Sequence, residues 1–388
     1  MNESLDKKRI ALFMAPLLTH GGGAEKYFIE LAKNLANKEF IVDIITFDRD
    51  FYKKFSNFLS LVYFKKIKPI ERETEEAINN QLDKARWLKI SPKNLKNILN
   101  NYDIIYSKNE ITDLFLLKFF SGKKMPPIIV GVHTPIFYPI TKSLISKLHN
   151  FLYLGFIYKI LLNKVKCIHL SNKFTKDLVD KKFKIDTELI YYPFSTTNMK
   201  DKSISNICEL KFSDNKINVI FIARLTEQKG IDILINIIKN LSNINNFKDK
   251  FVINIFGSGD LENEIIKLSK KYSFIKYFGH IENKYVPNIL SKNDLFISTA
   301  KWETLPFNIL EAQSLGLPTI AFNIPGPSDI IVNNETGYLV NDEKEFLERI
   351  INFNKNNFNS INIIDNIDKK FRPDFVYNKL IEMFKKNI

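Results

Sequence analysis

Cysteine is almost missing from this chain: Cys167 and Cys208 are the only two in 388 residues, and neither has a CxxC partner. That scarcity excludes a disulfide framework and a cysteine-based structural zinc site, and it points to a reducing, cytoplasmic setting. Long apolar runs are missing too. The longest candidate, Phe151–Leu162, is interrupted by Lys159 and falls well short of the roughly 20 residues that span a bilayer. The N-terminal stretch MNESLDKKRIALFMAP is charged and then only briefly apolar, so it does not read as a secretory signal. No fixed-period repeat, no GxGxxG fingerprint and no recognised nucleic-acid module is present. What remains is an ordinary globular balance, 45% hydrophobic and 26% charged, in a chain long enough for two domains.

Acidic residues are unevenly spread. Residues 1–200 hold 33 Lys and Arg against 20 Asp and Glu, whereas residues 201–388 hold 24 against 23, so nearly all of the net +14 lies in the first half. Leu114–Lys176 contains ten lysines and no acid at all. Such asymmetry suits an anionic partner such as a membrane surface or a phosphorylated acceptor. Scattered lysines alone are equally consistent with a solvated face.

Short apolar runs alternate with helical periodicities, the pattern of parallel sheets covered by helices on both faces. In the first half the expected strands are Arg9–Ala15, Ile41–Phe47, Ile104–Ser107, Ile128–His133, Lys166–Leu170 and Leu189–Tyr192. After the first strand comes THGGGAEK, and then Ala24, Tyr27, Phe28, Leu31, Ala32 and Leu35 at helical spacing. A polar passage over Phe194–Asp214 reads as a linker. The pattern restarts with strand Asn218–Ala223, helix Ile231–Leu241, strand Phe251–Phe256, helix Leu261–Tyr272 and strand Ile275–Phe278. A short helix near Tyr285–Ser291, strand Asp294–Ser298, helix Phe307–Leu315 and a closing strand Pro318–Phe322 follow.

The chemistry concentrates in AKWETLPFNILEAQSLGLPTIAF. Glu303 follows a strand end and Glu311 rides on the helix beyond. The backbone around Thr304, Leu305 and Phe307 opens that helix, and free N–H groups with the helix dipole suit a diphosphate. A carboxylate such as Glu311 can accept from both hydroxyls of a ribose. Alone, two glutamates at this spacing are an ordinary surface pair. They are joined by ARLTEQKG, which puts Arg224 and Lys229 after the first strand of the second half, where open α/β sheets bind ligands. Arg is a fork and Lys a point charge for phosphate oxygens. IFGSGDLE adds Gly257 at a strand-to-helix turn, where bare backbone could approach a nucleotide.

Taken together, GGGAEKYFIELAKNL, VHTP, ARLTEQKG, IFGSGDLE, FGHI and ETLPFNILEAQSLGLP resemble family 4 of the glycosyltransferases, in the family's motif order and over nearly the whole chain. The resemblance implies an α/β GT-B fold, two Rossmann-like doubly wound domains facing across a cleft. These would be residues 1–195 on the acceptor side, residues 196–370 on the nucleotide-sugar donor side, and a helix over 371–388 returning to the first. It also implies retaining transfer of a sugar from a nucleotide diphosphate, with no metal and no cofactor beyond the nucleotide-sugar co-substrate, expected to be a UDP-sugar rather than a GDP-sugar. On the matching motifs, Arg224 and Lys229 hold the diphosphate and Glu311 the ribose. Gly257, Ile281, Thr304, Leu305 and Phe307 complete the donor site. Glu303 contacts the donor sugar, and Gly22 and Gly23 bring backbone amides to the phosphates. His133 of VHTP lies near the reacting centre. Two departures stand out: Thr304 where the family more often has Gly or Ser, and Asp329 of PGPSDII where Glu is commoner.

Other classes fit less well. A dinucleotide oxidoreductase needs the GxGxxG spacing that GGGAEK lacks, and nucleic acid is not an expected partner. A GT-B-shaped sugar phosphorylase or nucleotide-sugar epimerase is the alternative. Asp48-Arg49-Asp50 matches the DxD pattern of metal-dependent glycosyltransferases of another fold, but its place after the second strand reads as chance. Finally, Ile140–Leu162 mixes Phe151, Leu152, Tyr153, Phe156, Ile157 and Tyr158 with Lys142, Lys147 and Lys159. That composition suits an anionic membrane surface and a lipid-linked or oligosaccharide acceptor, with the protein peripheral on the cytoplasmic face. The competing expectation is that these aromatics pack into the core.

Overall fold

Runs of Ile, Val, Leu and Phe bounded by turn residues build two parallel sheets in the computed structural model. It describes residues 7–15, 23–38, 40–54, 72–120, 125–133, 136, 144–197, 199 and 212–388. The chain divides into two units, residues 1–190 with 377–388, and residues 191–376. The division thus falls a few residues before the expected boundary at 195. It also falls inside the final helix, Pro373–Asn387, so the segment grouped with the first unit starts at Tyr377 rather than at 371.

In the first unit the strands are β1 (Arg9–Phe13), β2 (Ile41–Phe47), β3 (Arg86–Ile90), β4 (Ile104–Lys108), β5 (Ile128–Val132), β6 (Val165–Leu170) and β7 (Asp186–Leu189). They pair all-parallel in the order β3-β2-β1-β4-β5-β6-β7. The helix Gly23–Lys38 covers one face, burying Tyr27, Phe28, Leu31, Ala32 and Leu35 as its periodicity requires. Tyr377 onward packs within this unit. Phe384 lies 6.2 Å from Phe40 and 5.7 Å from Tyr106 between ring centroids, and Lys386 pairs with Glu188 at 2.7 Å. Cys167 is buried in β6, and burial pushes its thiol up to about 12, leaving it unreactive.

The second unit has β8 (Ile217–Ile222), β9 (Phe251–Phe256), β10 (Ile275–Tyr277), β11 (Leu295–Ser298), β12 (Thr319–Phe322) and β13 (Gly337–Val340), in the order β10-β9-β8-β11-β12-β13. Both sheets therefore follow the doubly wound order 3-2-1-4-5-6, the first with one further strand. Each has its own core, Phe13, Ile45, Ile105, Val130 and Ile168 in one, Phe221, Leu234, Ile253, Ile297 and Phe346 in the other.

Three sequence expectations are corrected, and all three concern sheet edges. β3 was not anticipated. β7 lies at Asp186–Leu189, not Leu189–Tyr192, and β13 follows β12, which was expected to close the series. Edge strands are covered less completely, so their sequences RWLKI and DTEL stay polar and lack the apolar run that marks a central strand. β3 is held by side chains as well as by its ladder. Arg86 forks onto the buried Asp43 of β2 at 2.7 and 2.8 Å, and Trp87 Nε1 donates to Thr46 at 2.9 Å. Tyr102 donates a third bond to Asp43, 2.6 Å long, so the buried carboxylate is fully compensated.

Candidate functional site

In each unit the strand order reverses beside the first strand, and the carboxyl ends flanking that reversal are where open α/β sheets take ligands. In the second unit those ends belong to β8 and β11. The sequence-predicted residues after them come together there.

Four loops are stitched into one surface. Beyond β8, the Leu225 amide donates to the Ser258 carbonyl at 2.9 Å, and the Leu261 amide donates to the Leu225 carbonyl at 3.0 Å, joining ARLTEQKG to the GSGD turn. Gly257 makes this possible. Its φ is 133°, and a Cβ there would overlap the Ala223 carbonyl oxygen, so only glycine permits the approach. On the other side, Thr299 Oγ1 donates to the Lys229 carbonyl at 2.9 Å and the Lys301 amide to the Gln228 carbonyl at 3.0 Å. Gly230, with φ 65°, turns the chain from there into the helix Ile231–Leu241. Asn308 Nδ2 donates to the Ile222 carbonyl at 3.0 Å, anchoring the start of the helix Phe307–Ser314 on the end of β8. Gly326, at φ 91°, lets the PGPSD turn abut the glutamate loop, its Cβ position lying 2.9 Å from Pro306 Cδ and 3.0 Å from the Thr304 carbonyl oxygen.

The charged groups converge on this surface. Lys229 and Glu303 form a direct ion pair, with side chains only 16% and 10% exposed. Arg224 stands exposed after β8, and Glu311 is half-buried on the helix. Leu305 and Pro306 are buried, which fixes the loop, while Thr304 is half-buried and Phe307 exposed. Phe307 stacks on Tyr192 with centroids 6.1 Å apart. Ile281 sits half-buried in the loop after β10. Together the loops offer cations, a bare-backbone glycine turn and a helix N-terminus over one switch point, which is what a nucleoside diphosphate requires.

Asp329 has a structural task. It accepts from the Tyr191 hydroxyl at 3.0 Å, and Lys370 donates to its carbonyl at 3.0 Å. Asp48 and Arg49 are likewise engaged, Asp48 accepting the Phe51 amide at 2.8 Å and Arg49 reaching Glu75 at 3.0 Å. Sequence reasoning passed over Gly326 and Asn308. The PGP turn is a signal for the first, but nothing in the sequence marks Asn308 as an anchor.

In the first unit His133 lies directly after β5, half-buried. Its Nε2 is 3.1 Å from the Tyr106 hydroxyl, which is 2.8 Å from His169 Nδ1. Burial lowers His133 well below the usual imidazole range, and nearby His169 and Lys108 lower it further. Gly22 lies outside the described residues. Gly23 opens the first helix.

The fold and this site define a two-unit, doubly wound α/β protein whose second unit gathers charged loops and a helix start at its switch point. The family profiles agree: "Glycosyltransferase Family 4" matches residues 21–196 and "Glycosyl transferases group 1" matches residues 205–370. The chain belongs to glycosyltransferase family 4. It is 27% identical over 251 residues to an uncharacterised 41.2 kDa protein in the cps region of Klebsiella pneumoniae, covering 63% of this chain and 66% of that one. Over 159 residues it is 31% identical to the UDP-Gal:alpha-D-GlcNAc-diphosphoundecaprenol alpha-1,3-galactosyltransferase of Escherichia coli, covering 35% and 40%. The chain thus matches between about two fifths and just under two thirds of these relatives' lengths. Its fold is similar to that of Anabaena HepE in complex with UDP, with TM-score 0.69 at 16% identity, covering 98% of this chain and all of that one. The sucrose-phosphate synthase of Thermosynechococcus elongatus is equally similar, with TM-score 0.70 at 15% identity over 98% and 99%.

Proposed function

We propose that the protein transfers a sugar from a nucleotide diphosphate, a UDP-sugar, to a lipid-linked or oligosaccharide acceptor in cell-surface glycan assembly, with retention at the anomeric carbon. The observation that carries this is the convergence of Arg224, the Lys229–Glu303 pair and the start of the Phe307–Ser314 helix at the β8/β11 switch point of a family 4 chain. Transfer develops negative charge on the departing diphosphate. Arg224, Lys229 and the helix N-terminus are preorganised to receive it, and one such contact is worth roughly 3 kcal/mol. Glu311 takes the ribose hydroxyls, Glu303 the donor sugar, and His133 the reacting end. UDP is favoured over GDP because the Escherichia coli relative is named for UDP-Gal and the Anabaena structure holds UDP. The reaction needs no metal, as the family pattern implies.

Turnover is tested by release of UDP in the presence of sugar donors. Glu311→Ala, Arg224→Ala and Lys229→Ala should each lower it by about a hundredfold or more in a folded protein. Full activity in a folded Glu311→Ala variant would overturn the donor-site assignment. Retention is read by NMR of the product anomer, and metal independence by activity in EDTA.

Peripheral docking on an anionic membrane belongs to the same reading. Lys142 lies outside the described residues. Of the aromatic run, Tyr153 and Tyr158 are buried, both hydroxyls bonding Asn109, so that part of the expected interfacial segment is core. The neighbours turn outward. Phe151 is 70% and Phe156 74% exposed, and Leu148, Ile157, Ile160, Phe115 and Phe119 are exposed with them. These side chains come from the helices Ile111–Phe120, Leu144–Leu154 and Phe156–Leu161, and Lys118 Nζ ties the first to the Ile160 carbonyl of the third. Lys147 and Lys159 are exposed on the same helices. Apolar rings flanked by lysines match a headgroup layer, with each lysine near an anionic leaflet contributing about 1 kcal/mol. No helix among the described residues is long and apolar enough to cross a membrane.

A further inference from the structure

Behind His133 stands a chain of hydrogen bonds whose direction is set at its far end. The Ile190 main-chain carbonyl lies 2.8 Å from His169 Nε2. A carbonyl only accepts, so His169 Nε2 carries a hydrogen. His169 is almost completely buried, and burial lowers it to about 4, so the ring is neutral near pH 7 and its Nδ1 bears a lone pair. The Tyr106 hydroxyl, 2.8 Å from that Nδ1, must therefore donate to it. Its single hydrogen is then committed. Toward His133 Nε2, 3.1 Å away, the Tyr106 oxygen can only accept, so His133 Nε2 carries a hydrogen as well. The opposite direction would set a ring lone pair against the Ile190 carbonyl oxygen at 2.8 Å.

We infer that Tyr106 and His169 are positioning residues for His133, and that the relay from the Ile190 carbonyl holds its imidazole in the Nε2–H tautomer with the accepting lone pair on Nδ1. Two further features serve the relay. Gly131, in β5, gives it room, since a Cβ there would overlap the Tyr106 hydroxyl and approach His133 Nε2 to 2.5 Å. Tyr27 and Phe28 pack on the His133 ring with centroids 4.7 and 5.6 Å away, fixing its plane. A neutral ring so held accepts a hydrogen bond at Nδ1, as from a sugar hydroxyl, and is not a proton donor there. Only that last role rests on the transferase reading. The tautomer itself does not.

The test is a long-range proton–nitrogen correlation spectrum of the full chain carrying ¹⁵N-histidine. It has five histidines, and His133→Gln and His169→Gln assign the two signals. Near pH 7.5 both rings should show the Nε2–H pattern in the wild type, a result that needs no functional variant. In Tyr106→Phe, His133 should become a mixture of tautomers, and turnover should fall about tenfold with the donor KM changed less than about twofold. An Nδ1–H pattern at His133 in the wild type, or an unchanged His133 spectrum in Tyr106→Phe, overturns the relay. If the wild type turns over no nucleotide sugar, the transferase reading fails while the spectra still decide the relay. A fully active His133→Gln beside the expected spectra would remove His133's role in the reaction and leave the relay standing.

Discussion

The ion pair between Lys229 and Glu303 makes a prediction that neither residue makes alone. Before donor arrives, the Lys229 charge is already engaged by a carboxylate in a site where both side chains are mostly buried. A diphosphate must share that lysine with Glu303, and Glu303 also repels the incoming anion. Glu303→Gln keeps the shape, removes the negative charge and leaves Lys229 for the phosphates. Two unit charges about 4 Å apart interact by about 4 kcal/mol at an effective dielectric of 20. Most of this is offset by solvation and by rearrangement of the lysine, so a third of it, about 1.4 kcal/mol or tenfold in affinity, is the expected gain. Glu303→Gln should therefore bind free UDP about tenfold more tightly. It should nonetheless turn over sugar donor at least about a hundredfold more slowly, because the contact with the sugar is weakened. Titration calorimetry with UDP at low and high salt gives the first number and UDP release the second. Weaker or unchanged UDP binding in a folded Glu303→Gln protein would refute the competition between carboxylate and phosphate for Lys229.

Three other outcomes are expected. Gly257→Ala should cost at least about 1–2 kcal/mol, since it forces a side chain into a positive φ and against the Ala223 carbonyl; thermal unfolding should show a lower Tm, and donor affinity should fall with it. Lowering the pH from 7 toward 4 should destabilise the first unit by up to about 3 kcal/mol through His169. The ring is held near 4 when folded and titrates near 6.5 when unfolded, so the unfolded state binds the extra proton and stability falls as pH falls through that window, with Glu188 and the Ile190 carbonyl opposing the effect of burial and neutral Tyr106 and His133 beside it. Urea unfolding at several pH values measures the slope, which should flatten in His169→Gln. Sedimentation with anionic liposomes at low salt should capture the protein, and Phe151→Glu with Phe156→Glu should abolish capture without changing Tm, because both rings already face water; a double variant that still sediments would remove the docking face.

Much of the fold was legible because central strands of a parallel sheet are buried on both faces and must read as apolar runs. Ile41–Phe47 and Phe251–Phe256 were bounded to the residue, as was the helix Ile231–Leu241 between its glycine and its last buried leucine. The misses were β3, β7 and β13, all at sheet edges among the described residues; β3 and β7 lack the apolar run of a central strand, and β13, GYLV, is only four residues long.

The charged and glycine-bearing loops after β8, β9 and β11 were likewise nameable, since each directly follows an apolar strand in the chain. By itself, then, the sequence determined the alternation of elements, the family and which loops carry charge, because those depend on local pattern and residue chemistry. Only the tertiary structure decided that Lys229 is engaged by Glu303, that Phe151 and Phe156 face water while Tyr153 and Tyr158 do not, and that His133 is the near end of a relay reaching Ile190. Each of these joins residues far apart in the chain or separates residues close together in it, and a partner or a burial of that kind exists only once the sheets have brought the strands side by side.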